Sequence, residues 1–202
     1  MARYTGPKLK LSRRSGLDLG LKTKPTKTAR RLAIPPGMHG RRGRGKLSEF
    51  GLQLREKQKV KWAYGVSERQ FRRYFERAAK TPAATGQELL KLLERRLDNV
   101  VYRLHFAPTR AAARQLVTHG HVKVDGKKLT IPSHLIKQGQ MIQLSDKSQR
   151  IPAVAELLTQ KGWQPPEWLE RQAAVGRVKR YPEREEVDLE INEQLIVEHY
   201  SR

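Results

Sequence analysis

Apolar residues recur at helical spacing in the middle of the chain. Their offsets of four, seven, eight and eleven place them on one face of a single predicted helix. These positions are Leu93, Leu97, Val100, Val101 and Leu104. Arginines occupy the other faces, so the pattern predicts an amphipathic helix with one apolar and one basic side.

A second basic helix and a hairpin follow this element. Thr109, after Pro108, is a suitable N-cap for a helix that ends at Gly120. Alternating residues then predict a strand, and Asp125-Gly126 is a strong signal for a two-residue hairpin turn. A further strand over 141–144 closes a predicted unit of about fifty residues.

Cap signals also mark helices on either side of this unit. Ser48 begins a predicted helix that stops at Gly65, and residues 67–70 fit a capping box before an aromatic stripe that we assign to the core. Residues 151–158 are predicted to be helical, and Asn192 begins a last helix.

The first 47 residues are rich in Gly, Pro, Lys and Arg, which favours an extended arm. Residues 40–46 contain the glycines and lysine of a phosphate-binding loop. No apolar strand precedes them and no Ser or Thr directly follows Lys46, so a nucleotide site is rejected.

The predicted fold class is α+β and mostly helical, with a helix-helix-hairpin module inserted in a helical domain. We expect a basic extended arm over 1–47 and a helical domain over 48–92 that packs with the tail 180–202. The RNA-binding module covers 93–152, and a C-terminal helical segment and tail cover 153–202.

Charge decides between a solvated basic face and a binding face. The chain has 42 Lys and Arg against 20 Asp and Glu, a net charge of +22 over 202 residues. Residues 1–47 hold 14 basic residues and one acid, whereas residues 146–202 hold 9 basic and 11 acidic residues. Such self-repulsion indicates a polyanionic partner, and the acidic tail is expected to fold back on cationic helices.

Several kinds of chemistry have no support. The chain contains no cysteine, which excludes disulfides and thiolate metal sites. His119 and His121 form the one close histidine pair, and a turn-flanking or RNA-contacting role is favoured over a metal site. We expect no metal, no cofactor, no small-molecule substrate and, without a long apolar run, no membrane partner.

The cations that these patterns assign to RNA come from the arm, the helical domain and the module. They are Arg3, Lys8, Lys10, Arg13, Arg14, Arg41, Arg42, Arg44, Lys46, Arg55, Lys57, Lys59, Arg69, Arg72, Arg73, Arg95, Arg96, Arg103, Arg110, Arg114, His119, His121, Lys123 and Lys127.

Six separated segments resemble, in order, the uS4 family of small ribosomal subunit proteins. They are Met1-Ala2-Arg3-Tyr4 with Gly6-Pro7-Lys8, Leu54 to Lys59, Glu68 to Arg72, Leu93 to Arg103, Thr109-Arg110 through Val117, and Ile191 to Glu198. The resemblance covers essentially the whole chain.

This resemblance implies a primary binder of 16S ribosomal RNA at a junction in the five-prime domain. The protein would nucleate assembly of the subunit body and support translational accuracy, without catalysis. It further implies contacts with small-subunit proteins number five and number twelve, and a basic surface beside incoming messenger RNA, formed by Arg41, Arg42, Arg44 and Lys46.

Many relatives carry four zinc-binding cysteines in the arm, and this chain has none. The arm would therefore be ordered by RNA and local packing. The implied location is the cytoplasm, on the small subunit, or the chloroplast stroma for a plastid form.

Two alternatives belong to other classes. Pseudouridine synthases and a tRNA synthetase carry a similar module, but the flanks here contain no paired acid and base, which disfavours an RNA-modifying enzyme. A free-standing stress factor would use the module but would not explain the matching arm and tail.

Overall fold

A computed structural model describes residues 4–23, 25–40, 45–160 and 162–201, with only the backbone for 25–28. The chain divides into two units, Met1–Leu89 with Leu189–Arg202 and Leu90–Asp188. The helices are α1 (Lys8–Ser15), α2 (Pro25–Leu32), α3 (Glu49–Ala63), α4 (Glu68–Ala78), α5 (Thr85–Glu94), α6 (Leu97–Arg103), α7 (Arg110–Thr118), α8 (Asp146–Gln149), α9 (Pro152–Thr159) and α10 (Glu193–Ser201). The strands are β1 (Val122–Val124), β2 (Lys127–Lys128), β3 (Met141–Leu144), β4 (Leu169–Gln172) and β5 (Val175–Val178).

Helices α3 and α4 of the first unit begin where the sequence predicts. Ser48 Oγ accepts a hydrogen bond from the Gly51 amide at 3.2 Å, and Ser67 Oγ accepts one from the Gln70 amide at 3.4 Å. Gly65 follows α3 with a φ of +62°, a left-handed conformation that glycine adopts without strain. The predicted caps and the predicted stop are confirmed.

Helix α10 packs on α3. Asn192 Oδ1 caps α10 by accepting from the Gln194 amide at 3.1 Å, and Ile196 is buried. The Tyr200 ring stacks on Phe75, with 4.6 Å between ring centroids. The predicted last helix is confirmed. Of the aromatic stripe of α4 that the sequence assigns to the core, Phe71 is buried and Tyr74 and Phe75 are half-buried.

The N-terminal arm is not simply extended, which corrects one prediction. It contains helices α1 and α2, and Leu11 and Leu19 are buried. Arg13 donates hydrogen bonds to the carbonyl oxygens of Ile34 and Pro35, both at 2.9 Å. The burial of Leu11 and Leu19 and the two hydrogen bonds of Arg13 therefore stabilise a folded conformation in a segment whose composition favours an extended chain.

The predicted helix over 93–104 is two helices. Leu93 lies on α5, and α6 begins at Leu97 after an extended Arg96 with a ψ of 137°. Arg96 forms an isolated β-bridge with Leu135. The five apolar positions on the two helices are all buried, so their spacing continues across the break and periodicity alone could not locate it.

The capped helix and the hairpin of the second unit are confirmed. Thr109 Oγ1 accepts from the Ala112 amide at 3.2 Å and caps α7. Asp125 and Gly126 have φ values of +47° and +78°, as a primed hairpin turn between β1 and β2 requires.

The sheet is larger than the predicted hairpin with one closing strand. Its order is β2-β1-β3-β5-β4, with every pairing antiparallel. Strands β4 and β5 come from the segment that the sequence assigns to a helical tail, so this unit extends past residue 152 to Asp188. Helix α9 confirms the predicted helix over 151–158.

One core fills the second unit. It includes Leu97, Leu104, Ile142, Trp168 and Val178, all at most 1 % exposed. Helices α6 and α7 and the buried face of the sheet all contribute to this core. Among the described residues, no helix has the length and apolar character needed to cross a membrane.

Candidate RNA-binding surface

Two arginines of the predicted RNA set are core residues. Arg96 has 0 % exposure and its guanidinium donates to Asp98, from Nε to Oδ1 at 3.0 Å and from Nη2 to Oδ2 at 2.7 Å. A guanidinium without exposed area cannot reach a phosphate, so the predicted RNA contact of Arg96 is corrected.

Arg103 is likewise buried, at 7 % exposure. It donates to both carboxylate oxygens of Glu94, at 3.0 and 2.9 Å, and also pairs with Asp188. Glu94 is 1 % exposed. Burial of a carboxylate requires such pairing, so Arg103 stabilises the core and its predicted RNA contact is corrected as well.

Other arginines of the module are half-buried and held in place. Arg95 lies over the Tyr181 ring, 4.0 Å from the centroid, and Arg110 lies over the Tyr102 ring at 4.5 Å. Arg114 is 3.7 Å from Asp98. These contacts hold the three guanidinium groups in place, and the predicted RNA contacts of the three arginines stay predictions.

The hairpin and the end of α7 carry a group of accessible basic side chains. His119, Lys123, Lys127 and Lys128 are exposed and His121 is half-buried. We call these five residues the hairpin patch. Lys128 is a member that the predicted RNA set does not include, although it follows Lys127 directly in the sequence.

Backbone geometry holds the hairpin patch together. The rings of His119 and His121 lie 6.3 Å apart. Lys128 packs over Gly120 so closely that a Cβ there would meet Lys128 Cε at 2.0 Å, and Gly120 has a φ of +74°. Glycine at this position thus lets the lysine stem cross the end of α7.

In the first unit, several predicted cations are engaged by the protein itself. Lys57, which is 6 % exposed, donates to Glu68 at 2.8 Å, and Lys59 pairs with Glu56. Arg55 donates to the Ser15 carbonyl at 2.5 Å. The predicted RNA contact of Lys57 is corrected because its ammonium is buried in this pair.

The other predicted cations of the first unit differ in exposure. Lys8 is half-buried, and Arg72 is exposed but pairs with Glu76 at 3.1 Å. The remaining exposed cations of this predicted set are Lys10, Arg14, Lys46, Arg69 and Arg73. Arg3, Arg41, Arg42 and Arg44 lie outside the described residues.

Glu68 is the centre of a charged network between α3, α4 and α10. Its Oε1 accepts from Lys57 and from the Tyr200 hydroxyl, both at 2.8 Å, and its Oε2 accepts from Lys61 at 2.7 Å. Partial burial raises the pKa of Glu68, but the hydrogen bonds from Lys57, Lys61 and Tyr200 outweigh it and lower the pKa to about 2. Burial and the same carboxylate raise the pKa of Tyr200.

A cleft of about 760 Å³ in the second unit has the opposite character to the hairpin patch. Five carboxylates line it, namely Glu167, Glu183, Glu185, Glu186 and Asp188. Hydrogen bonding to Glu186 raises the pKa of Arg180, which also pairs with Glu167 and Glu183. Arg103 and Arg180 also line the cleft and pair with several of these carboxylates. In the described part of the chain no cluster of three or more His, Cys, Asp or Glu side chains has metal-site geometry.

Two known family models match consecutive parts of this chain. Residues 3–94 match the model of the ribosomal protein S4/S9 N-terminal domain, and residues 95–142 match the S4 domain model. Together the two matches define a ribosomal protein built around an S4 domain.

Curated relatives are similar over the full length of both chains. The small ribosomal subunit protein uS4 of Natranaerobius thermophilus is 51 % identical, that of Geobacillus sp. strain WCH70 is 51 % identical, and that of Herpetosiphon aurantiacus is 52 % identical. The chain therefore belongs to the uS4 family. It is a structural protein of the small ribosomal subunit and not an enzyme.

Proposed function

We propose that this chain binds 16S ribosomal RNA at a helical junction of the five-prime domain and nucleates assembly of the subunit body. The observation that carries the proposal is the separation of charge in the second unit. Exposed cations gather at the hairpin patch, while the carboxylates gather in the acidic cleft.

Phosphate contacts supply the affinity in this mechanism. Lysine and arginine neutralise the RNA backbone and release condensed counterions, so binding weakens steeply with salt. The deep, narrow major groove of an RNA helix leaves little base readout, so the shape of the junction provides specificity. The ring contacts of Arg95 and Arg110 support this, because they hold guanidinium planes in one orientation.

Three finer statements belong to the same proposal. The protein contacts small-subunit proteins number five and number twelve and thereby supports translational accuracy. Its arm, with Arg41, Arg42, Arg44 and Lys46, lies beside incoming messenger RNA. It works in the cytoplasm, or in the stroma if plastid-encoded.

A salt series tests the central proposal. The purified chain is titrated into the five-prime domain of small-subunit ribosomal RNA and, separately, into an unrelated structured RNA of equal length. If roughly six to ten phosphates are engaged, affinity for the five-prime domain falls by about a thousandfold or more from low to moderate salt. Equal affinity for both RNAs, or a dissociation constant that ignores salt, contradicts the proposal and favours a general basic binder.

A further inference from the structure

The five-stranded sheet buries one face and leaves the other open. Along β1, Val122 and Val124 are buried while Lys123 between them is exposed. Along β5, Gly176 and Val178 are buried while Arg177 is exposed. Successive side chains of a strand point to opposite faces, so Lys123 and Arg177 both lie on the face that the core does not cover.

The strand register places Lys123 and Lys128 opposite each other on the open face, with β3 between them and Arg177. Lys123 is paired with Lys128 of β2, and Arg177 of β5 is paired with Met141 of β3. Met141 is 44 % exposed, which shows that the middle of the face is also open. Paired residues share a face, so Lys123, Lys128 and Arg177 form one surface.

The span of this surface suits a nucleic-acid backbone. Three strand spacings separate β2 from β5, which is about 14 Å at roughly 4.8 Å per spacing. Adjacent phosphates on one strand of a duplex are about 3.4 Å apart along the axis. The cations can therefore contact separate phosphates, and none of the three forms an ion pair with another described residue.

Charge changes at both margins of the open face. On β4, Glu170 lies 3.9 Å from Lys179, so the far edge carries compensated charge. At the hairpin, the Asp125 carboxylate accepts from the Met141 amide at 2.9 Å and from Gln140 at 2.6 Å. Glu170 is the cross-strand partner of Arg177, but its ion pair is with Lys179 and not with Arg177.

We propose that the open sheet face formed by Lys123, Lys128 and Arg177 binds the sugar-phosphate backbone of the ribosomal RNA. This inference rests on the proposed function and adds to it a strand, β5, that lies outside the matched S4 domain of residues 95–142. The RNA then runs across the strands, from the hairpin patch to β5.

A triple variant tests the contribution of this face to binding. Lys123→Gln, Lys128→Gln and Arg177→Gln are combined in the full chain, and the salt dependence of its affinity for the five-prime domain is measured. Each lost phosphate contact reduces the slope of log affinity against log salt by roughly 0.7 to 0.9. Over a roughly fourfold rise in salt, both affinities fall, and the factor by which the variant's affinity falls should be about 20 to 40 times smaller than the factor for the unmodified chain.

A charge-matched control separates this face from general electrostatics. Lys137→Gln, Lys147→Gln and Arg150→Gln remove three exposed cations of the same unit that lie outside the strands. The control should keep nearly the full slope. An equal loss in both triple variants, or no loss in the sheet variant, overturns the inference. Failure of the proposed function differs from both, because then the unmodified chain itself does not prefer the five-prime domain.

The position of the RNA relative to the sheet can be tested directly with introduced cysteines, because the chain has no cysteine of its own. Lys123→Cys, Arg177→Cys and, as a control, Lys147→Cys are each labelled with a tethered iron chelate and bound to the five-prime domain. Radical cleavage from positions 123 and 177 should fall on neighbouring nucleotides of one RNA segment, with cleavage from 147 weaker or elsewhere. Absence of cleavage from 177, or cleavage from 123 and 177 in unrelated segments, refutes the inference.

Discussion

The substitution Glu68→Gln tests whether the carboxylate network holds α10 in place. The amide keeps the shape of the side chain and an acceptor for Tyr200, but it removes the charge that Lys57 and Lys61 share. The pKa of Glu68 falls from its ordinary value of 4.5 to about 2, a difference of roughly 3 kcal/mol if screening is ignored. The carboxylate is 45 % exposed, and solvent screening reduces the expected loss to about 1–2 kcal/mol.

The lowered pKa of Glu68 determines how the stability difference between the two chains changes with pH. A carboxylate with a lowered pKa in the folded state stabilises the fold fully above its unfolded pKa, and the stabilisation is lost as pH falls toward the folded value. The difference between the unmodified chain and Glu68→Gln should therefore be present at neutral pH and shrink between about pH 4.5 and pH 2.

Urea denaturation followed by circular dichroism measures this difference across a pH series. Glu76→Gln is the control on the same helix, because its partner Arg72 lies 3.1 Å away but both side chains are more than half exposed. The control should lose no more than about 0.5 kcal/mol. A Glu68→Gln loss that is equally large at neutral and at acidic pH would refute the assignment to the charge.

Two further predictions concern the core of the second unit, and circular dichroism during urea denaturation checks both. Glu94→Gln should lower the free energy of unfolding by about 3–5 kcal/mol because it leaves the buried Arg103 guanidinium without its main carboxylate. Asp188→Asn is the control, and because the Asp188 side chain is 78 % exposed, its loss should be under about 1 kcal/mol. Equal losses in the two variants would contradict the burial argument. Gly176→Ala should cost about 1–3 kcal/mol because a Cβ there lies 2.4 Å from Leu104 Cδ1 in a filled core, and an unchanged unfolding midpoint would contradict it.

Local signals in the sequence were sufficient for most helix starts and for the hairpin. Ser48 and Thr109 act through hydrogen bonds three residues away, and Asp125-Gly126 acts through two backbone dihedrals. Such interactions depend on neighbours in the chain, so spacing and residue type reveal them. The family resemblance added the whole-chain identity that the comparisons confirm.

The pattern of apolar and polar residues did not predict which strands pair across long stretches of the chain. Strand β5 joins β3 across the segment that holds α8 and α9, and nothing in its four residues specifies that partner. The sequence did not separate buried from exposed cations for the same reason. Arg96 and Lys123 are both basic residues of the module, yet Arg96 is buried in an ion pair with Asp98, whereas Lys123 is exposed on the sheet. Periodicity gives the direction of a side chain on its own element, and tertiary packing decides its exposure.

The contact between α3 and α10 has a consequence for the order of folding during synthesis. Gln53 and Glu198, which share a hydrogen bond, are 145 positions apart, and the second unit lies between them in the chain. Domains fold largely as units while the chain is being made. The inserted unit is therefore synthesised in full before α10, so its sheet can form first, while the unit that begins the chain closes only after residues 193–201 have been added.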